Sequence, residues 1–263
     1  MKNVDYTAVS EITGYNVTHE QIQRMYTRYR FASGFCEGKD VLEVACGSGQ
    51  GLGYLAKIAK RVIGGDYDEN IIKIANQHYK GCVEVKKMDA HNLLFDDKSF
   101  DVVMLYEAIY YLEKPERFVN EARRLLRDGG ILIICSANKD WSGFNPSPHS
   151  YKYFSVPELY DLLHGNNFND ISLYGDCPVR AGTVIDKVIS VIKRVAVRFH
   201  VMPKTMKGKE FLKRVFMGKL VPLPPEIKDG MVEYTPPVQI HHDKPNIGYK
   251  VIYAVGSIKQ CYE

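Results

Sequence analysis

From residue 39 the chain alternates short apolar runs with segments whose apolar positions recur every three to four residues. Residues 39–45 (KDVLEVA), 61–66 (RVIGGD), 82–89 (CVEVKKMD), 99–107 (SFDVVMLYE), 131–137 (ILIICSA) and 169–175 (NDISLYG) have the length and apolar density of buried strands. Residues 49–60, 69–79, 115–127 and 155–164 have helical spacing. The punctuation agrees. Pro115 takes a first-turn position, Asp128-Gly129-Gly130 stops the helix it opens, and Ser155 with Glu158 has capping-box spacing. An earlier helix is expected over 18–33, with Thr18 and Gln21 as its capping box and Ile22, Met25, Tyr26 and Tyr29 on one face. A last strand is expected over 247–258.

Strands alternating with amphipathic helices predict a parallel sheet covered on both faces. Such sheets bind ligands at the carboxyl ends of their strands, near the point where strand order reverses. Residues 45–51, 66–68, 89–91, 106–111 and 136–149 therefore carry the most weight.

The alternation stops at 178. Residues 184–199 put Val184, Val188, Val191, Ile192, Val195 and Phe199 on one stripe, with Lys187, Lys193, Arg194 and Arg198 elsewhere. A second basic helical segment covers 207–219, and proline-rich loops follow. The chain's 263 residues, 45% hydrophobic, suffice for one large domain with an appendage. The expected organisation is an N-terminal helical cap (1–37), a core (38–177), a basic helical and proline-rich insert (178–246), and a final core strand with a tail (247–263).

Composition narrows the setting. No apolar run reaches the ~20 residues of a membrane span, and the first fifteen residues lack the apolar stretch of a secretory signal. Cys36, Cys46, Cys82, Cys135, Cys177 and Cys261 form no C-x-x-C pair and read as reduced thiols of a cytoplasmic protein. The net charge of +4 is uneven: residues 180–220 hold eleven Lys/Arg against two acids, a balance of +9, which leaves −5 elsewhere. Three uses of that segment stay open: a lid whose stripe packs on the core, a helix lying on an anionic membrane surface, or a site for an anionic acceptor or RNA. RNA is the least supported, because no RNA-binding module accompanies the patch.

The densest chemistry lies in VLEVACGSGQGLGYL, residues 41–55. A strand, a glycine turn and a helix let backbone approach a ligand closely. The dinucleotide fingerprint fails because Leu52 stands where its third glycine belongs, and no Lys-Ser/Thr follows the glycines to grip a phosphate. Glu43 before the turn would repel phosphate and attract an ammonium, such as the methionine end of S-adenosylmethionine. The run hydrophobic-hydrophobic-Glu-hydrophobic-x-Cys-Gly-x-Gly resembles the first motif of class I S-adenosylmethionine-dependent methyltransferases, with Ala45 in place of the usual glycine. The resemblance extends over about 38–175 and the last strand. Phe100-Asp101-Val102-Val103 opens the fourth strand and Gly129-Gly130 precedes the fifth, as in that family.

The resemblance implies a Rossmann-like three-layer α/β/α sandwich. Its sheet would have seven strands, mostly parallel, with an antiparallel last strand and a helical insert before it. It implies S-adenosylmethionine as cofactor and a methyl-transfer reaction. On the cofactor side it implies Glu43, Ala45, Gly47 and Gly49 at the methionine end, Asp66 with Tyr67 at the ribose, and Asp89, Ala90 and His91 at the adenine. Tyr106 would line the site, and Tyr26 or Tyr15 from the cap would lie over the sulfonium, whose charge suits an aromatic face.

The acceptor is less constrained. The fourth-strand exit, YEAIYYLEKP, lacks the asparagine-proline-proline-aromatic tetrapeptide of DNA and amide amino-methyltransferases, which weighs against DNA. Glu107 is a candidate base or amine anchor, with a structural role as the competing reading. The long loop after the fifth strand carries His149, a candidate acceptor-site base. His241-His242 lie in a further loop that could fold over the site. The layout is similar to bacterial methyltransferases among glycan-building enzymes, which implies a small-molecule or glycan hydroxyl as acceptor. An amine acceptor, and a non-catalytic cofactor-binding regulator, stay open.

Overall fold

The computed structural model describes residues 11–179 and 220–259. The basic segment and Cys261 lie outside the described residues. In chain order the elements are β1 (Asn16–Thr18), α1 (His19–Cys36), β2 (Asp40–Val44), α2 (Leu52–Ala56), β3 (Arg61–Asp66), α3 (Glu69–Tyr79), β4 (Glu84–Lys87), β5 (Phe100–Tyr106), a 3-10 turn (Ile109–Tyr111), α4 (Pro115–Leu125), β6 (Leu126–Ala137), α5 (Val156–Gly165), β7 (Asn169–Pro178), β8 (Leu220–Pro222), β9 (Val238–Ile240) and β10 (Tyr249–Ser257).

The main sheet has eight strands in the order β4-β3-β2-β5-β6-β10-β7-β9. β10 runs antiparallel to both of its neighbours, while β4, β3, β2, β5 and β6 are mutually parallel. The strand order reverses between β2 and β5, so the chain leaves a crevice at their carboxyl ends. The expected seven strands and antiparallel last strand are present. The eighth, β9, pairs antiparallel with β7 at the sheet edge. Its three residues follow Pro236-Pro237, so sequence pattern reads them as loop; short edge strands tolerate such neighbours.

Alternation along the strands builds the layers. Val41 of β2 with Val102 and Met104 of β5 face a cluster shared with α1, α2 and α3. Leu42, Val44, Val103 and Leu105 face the cluster under α4 and α5, with Phe118 and Leu159 fully buried there. The capping boxes at Thr18/Gln21 and Ser155/Glu158 are both formed. The helix expected over 49–60 is shorter, Leu52–Ala56, because glycines at 51 and 53 weaken its first turn and Lys57 ends it. The strand after α4 begins at Leu126, and its ladder with β5 breaks between Phe100 and Val102, where Gly129 takes φ +73.

Residues 220–240 pack against the core and are not a separate body. β8 pairs with β1, and Leu223 and Ile227 are buried beside α1. Asp229 Oδ1 accepts from the hydroxyls of Tyr26 on α1 and Tyr54 on α2, both at 2.8 Å. Among the described residues no helix is long and apolar enough to cross a membrane.

Candidate functional site

The carboxyl ends of β2, β3, β5 and β6 open into a cleft of about 820 Å³. Its floor begins at the turn after β2. Ala45 adopts φ +58 and Gly47 φ +58, both left-handed, which turns the chain sharply from strand toward α2. Gly51 has a separate job. A Cβ there would stand 2.0 Å from the Tyr29 ring, so only glycine lets α1 approach the turn this closely.

That approach places the Tyr29 hydroxyl 2.6 Å from Glu43 Oε1, to which it donates. Glu43 is 1% exposed, and its other oxygen has no partner among the described residues. Burial pushes its carboxyl up to about 7, against the pull of the Tyr29 hydrogen bond and the Arg28 charge. A buried, cleft-lining carboxylate oxygen without a donor is the feature that an incoming ammonium would satisfy. Arg28 lies on the same wall, 6% exposed, with one nitrogen on Glu11 at 2.6 Å and its Nε unpartnered.

Asp66 ends β3. Its Oδ2 accepts from the Gly47 N–H and its Oδ1 from the Asp68 N–H, both at 3.0 Å. Burial raises this carboxyl too. Beyond β4, Asp89 Oδ1 accepts from both the His91 N–H and His91 Nδ1 at 2.9 Å. The Lys114 N–H donates to His91 Nε2 at 3.4 Å, which assigns the ring proton to Nδ1. Both bonds fall on Oδ1, and Asp89 lines the cleft with Tyr67 and Ala90. Glu43, Asp66 and Asp89 thus line one cleft from the ends of three neighbouring strands.

The other half of the cleft is built from more distant parts. Glu107, at φ +52 just past β5, receives Arg24 at 2.9 Å on Oε1 and the Tyr110 hydroxyl at 3.0 Å on Oε2. Tyr110 stacks on Tyr153 with ring centres 4.2 Å apart. The loop after β6 docks on this turn: the Tyr151 N–H donates to the Tyr110 carbonyl at 2.8 Å, and the Tyr111 and Ser147 hydroxyls lie 2.6 Å apart. His149 sits in that loop at φ +68, exposed at the cleft mouth.

Most of the expected residues line the cleft: Glu43, Ala45, Gly47, Asp66, Tyr67, Asp89, Ala90, His91, Tyr106, Glu107 and His149. Three positions differ. Tyr26 faces Tyr54, Tyr234 and Asp229 away from the cleft, because Asp229 offers its hydroxyl a charged partner; Tyr29 and Met25 line the cleft instead. Gly49 does not line it; its left-handed turn backs onto the Tyr79 ring. Tyr15 is 44% exposed and lies outside the lining. His242 stacks on Tyr160 of α5 at 3.8 Å and does not fold over the site, and the described residues contain no metal-ligating cluster. Sequence reasoning missed Arg24 and Arg28. Their i, i+4 spacing on an aromatic helix was the available signal, but it reads equally as a solvated face.

Comparison with known proteins agrees with this geometry. The family model for the methyltransferase domain matches residues 42–134. A probable S-adenosylmethionine-dependent methyltransferase of Mycobacterium tuberculosis is 34% identical over 146 residues, covering 53% of this chain and 52% of that protein. The phthiotriol/phenolphthiotriol dimycocerosates methyltransferase of the same species is 40% identical over 98 residues, 36% of each chain. The chain thus spans about half the length, or less, of the curated relatives it matches. A possible histamine N-methyltransferase from Thermotoga maritima has the same fold, with a TM-score of 0.59 at 18% identity over 91% of this chain and 92% of that one.

Proposed function

We propose that the core of this chain, where the methyltransferase domain model matches residues 42–134, is a class I S-adenosylmethionine-dependent methyltransferase and that it methylates a hydroxyl of a small-molecule or sugar-like acceptor. The observation that carries the reading is the series Glu43, Asp66 and Asp89 at successive strand ends, with one Glu43 oxygen buried and unpartnered in the cleft. Glu43 would hold the cofactor's ammonium and Arg28 its carboxylate. Asp66 would take the ribose hydroxyls, and Asp89 Oδ2 the adenine amino group between Tyr67 and Ala90. S-adenosylmethionine supplies an electrophilic methyl group on a sulfonium.

The chain's own residues supply position and a proton acceptor. Each Glu107 oxygen already receives one donor, and the Arg24 cation balances its charge. That pairing disfavours it as an ammonium anchor and so favours a hydroxyl over an amine acceptor. His149 makes no hydrogen bond among the described residues and stands at the mouth, where an acceptor hydroxyl would enter. The aromatic rim at Tyr111 and Tyr151 suits the face of a sugar or other flat ring. A lipid-linked glycan met at a membrane surface would call on residues 180–219, which lie outside the described region.

The reading is tested by calorimetry with S-adenosylmethionine and with NAD, then by a screen of sugars, phenols and lipid-linked glycans with labelled cofactor. Micromolar binding of S-adenosylmethionine and label in a hydroxyl-bearing acceptor are expected. Binding of NAD alone would sink it. Cofactor binding without turnover on any acceptor would favour a regulatory protein.

A further inference from the structure

Arg24 and Arg28 stand one turn apart on α1, yet they face the cleft differently. Arg28 is 6% exposed and Arg24 28%. Arg24 commits one terminal nitrogen to Glu107 and makes no other hydrogen bond among the described residues. Arg24 lines the cleft and is part-exposed, so its remaining N–H groups are open to it beside Glu107, which follows β5. Its charge, however, is cancelled at contact distance. Glu107 is only 17% exposed, and Tyr110 fixes its second oxygen. Beside the pair the lining also carries Glu113, and the nearby Arg28 is matched by Glu11 at 2.6 Å, so the described surface has no net positive charge here.

A lone guanidinium in a cleft captures carboxylate and phosphate bidentately. The same guanidinium clamped to a buried carboxylate still donates hydrogen bonds, but an incoming anion must sit beside that carboxylate. Glu107 is kept at a left-handed backbone position that a β-carbon disfavours. That arrangement makes sense if the carboxylate itself is wanted at this point.

We infer that Arg24 and Glu107 together read an uncharged oxygen on the acceptor: Arg24 donates to it, and Glu107 excludes acceptors with a carboxylate or phosphate at that position. The inference rests on the methyltransferase reading of the same cleft. It assigns Arg24 a binding role and Glu107 a selecting one.

A matched pair of small probes tests it, whatever the natural acceptor is. Benzamide and benzoate share a ring for the aromatic rim and differ in charge at the oxygen offered to Arg24. Both are titrated calorimetrically into the full chain saturated with S-adenosylhomocysteine. The intact protein should bind benzamide at least tenfold tighter than benzoate. Glu107→Gln should invert that order, Arg24→Met should weaken benzamide at least tenfold, and Arg24→Lys should keep the order. S-adenosylhomocysteine affinity within about threefold of the intact chain shows that each variant is folded. Benzoate binding the intact chain as tightly as benzamide overturns the inference. So does an unchanged ratio in Glu107→Gln, or the absence of any Arg24-dependent benzamide binding. Failure of the methyltransferase reading shows separately, as failure of the chain to bind S-adenosylhomocysteine at all.

Discussion

Asp66 is held at the end of β3 by the backbone N–H groups of Gly47 and Asp68, whereas Glu107 is held at the end of β5 by the side chains of Arg24 and Tyr110. The contrast runs through the cleft. In the cofactor half the bonds span 2 residues at Asp66–Asp68 and Asp89–His91, and 19 at Gly47–Asp66. In the half proposed for the acceptor they span 83 at Arg24–Glu107 and 36 at Tyr111–Ser147, with Tyr110–Glu107 a local bond of 3. Backbone donors have no side chain to mutate, so the first half is tied to the fold itself. The second is an agreement between side chains of separate elements, and each can change without rebuilding the sheet. One fold can thereby keep a cofactor and exchange acceptors.

The largest test of this division removes the buried charge that the Tyr29 side chain supports. Glu43→Gln keeps the shape and the Tyr29 contact but leaves an ammonium facing a neutral amide. Cofactor affinity should fall by two to three orders of magnitude, roughly 3–4 kcal/mol, in calorimetry at pH 8, while benzamide binding is retained. A loss under tenfold would show that the ammonium sits elsewhere. Next in size comes the opposite half. His149→Ala should lower turnover by about 100-fold through loss of a proton acceptor and leave the cofactor dissociation constant unchanged. Unchanged turnover on an accepted substrate would remove His149 from the chemistry.

The same division explains what the sequence could reveal. Glu43, Asp66 and Asp89 were legible because each lies within two residues of the end of a strand, and strand ends converge by topology alone. Both capping boxes follow from equally local signals, whereas the antiparallel last strand was implied only by the family resemblance. Arg24 and Arg28 were not legible. A helix pattern says which residues share a face, but not whether that face meets solvent or a cleft. The expectation of Tyr26 at the cleft overlooked Tyr29 for the same reason. Both lie on the inward face of α1, and only the distant Asp229, from the segment after the basic insert, draws Tyr26 away. The edge strand β9 was hidden by its flanking prolines.

A smaller effect tests Glu43 by pH. Its carboxyl titrates at about 7 in the cofactor-free fold because it is buried. An ammonium partner favours the ionised form, so cofactor binding expels a proton at pH 6 and not at pH 8. Affinity should weaken about tenfold per pH unit below 7, and calorimetric enthalpies at pH 6 should depend on the buffer's ionisation heat. Stability has a related sign. A carboxyl raised in the folded state contributes fully below its unfolded value and loses that contribution as pH rises through about 7. The cofactor-free protein should therefore lose part of its stability between pH 5 and 8. Glu43→Gln removes that part, and saturating cofactor offsets it.

The smallest test uses one backbone conformation present in both halves. Ala45 and Glu107 are left-handed at φ +58 and +52, a region that glycine occupies without a β-carbon penalty. At Ala45 the side chain contributes little beyond a methyl group on the turn. Ala45→Gly should relieve ~1–2 kcal/mol of strain, lose ~0.5–1 to unfolded-state entropy, and raise Tm by about 2 °C. Glu107→Gly relieves the same strain but discards two hydrogen bonds and leaves Arg24 and Tyr110 without their acceptor. Its Tm should fall. Opposite signs from one substitution type would show that strain in the cofactor half serves backbone geometry, whereas strain in the acceptor half serves a side chain. A rise at both positions would mean that the Arg24–Glu107–Tyr110 contacts contribute less than the strain they hold.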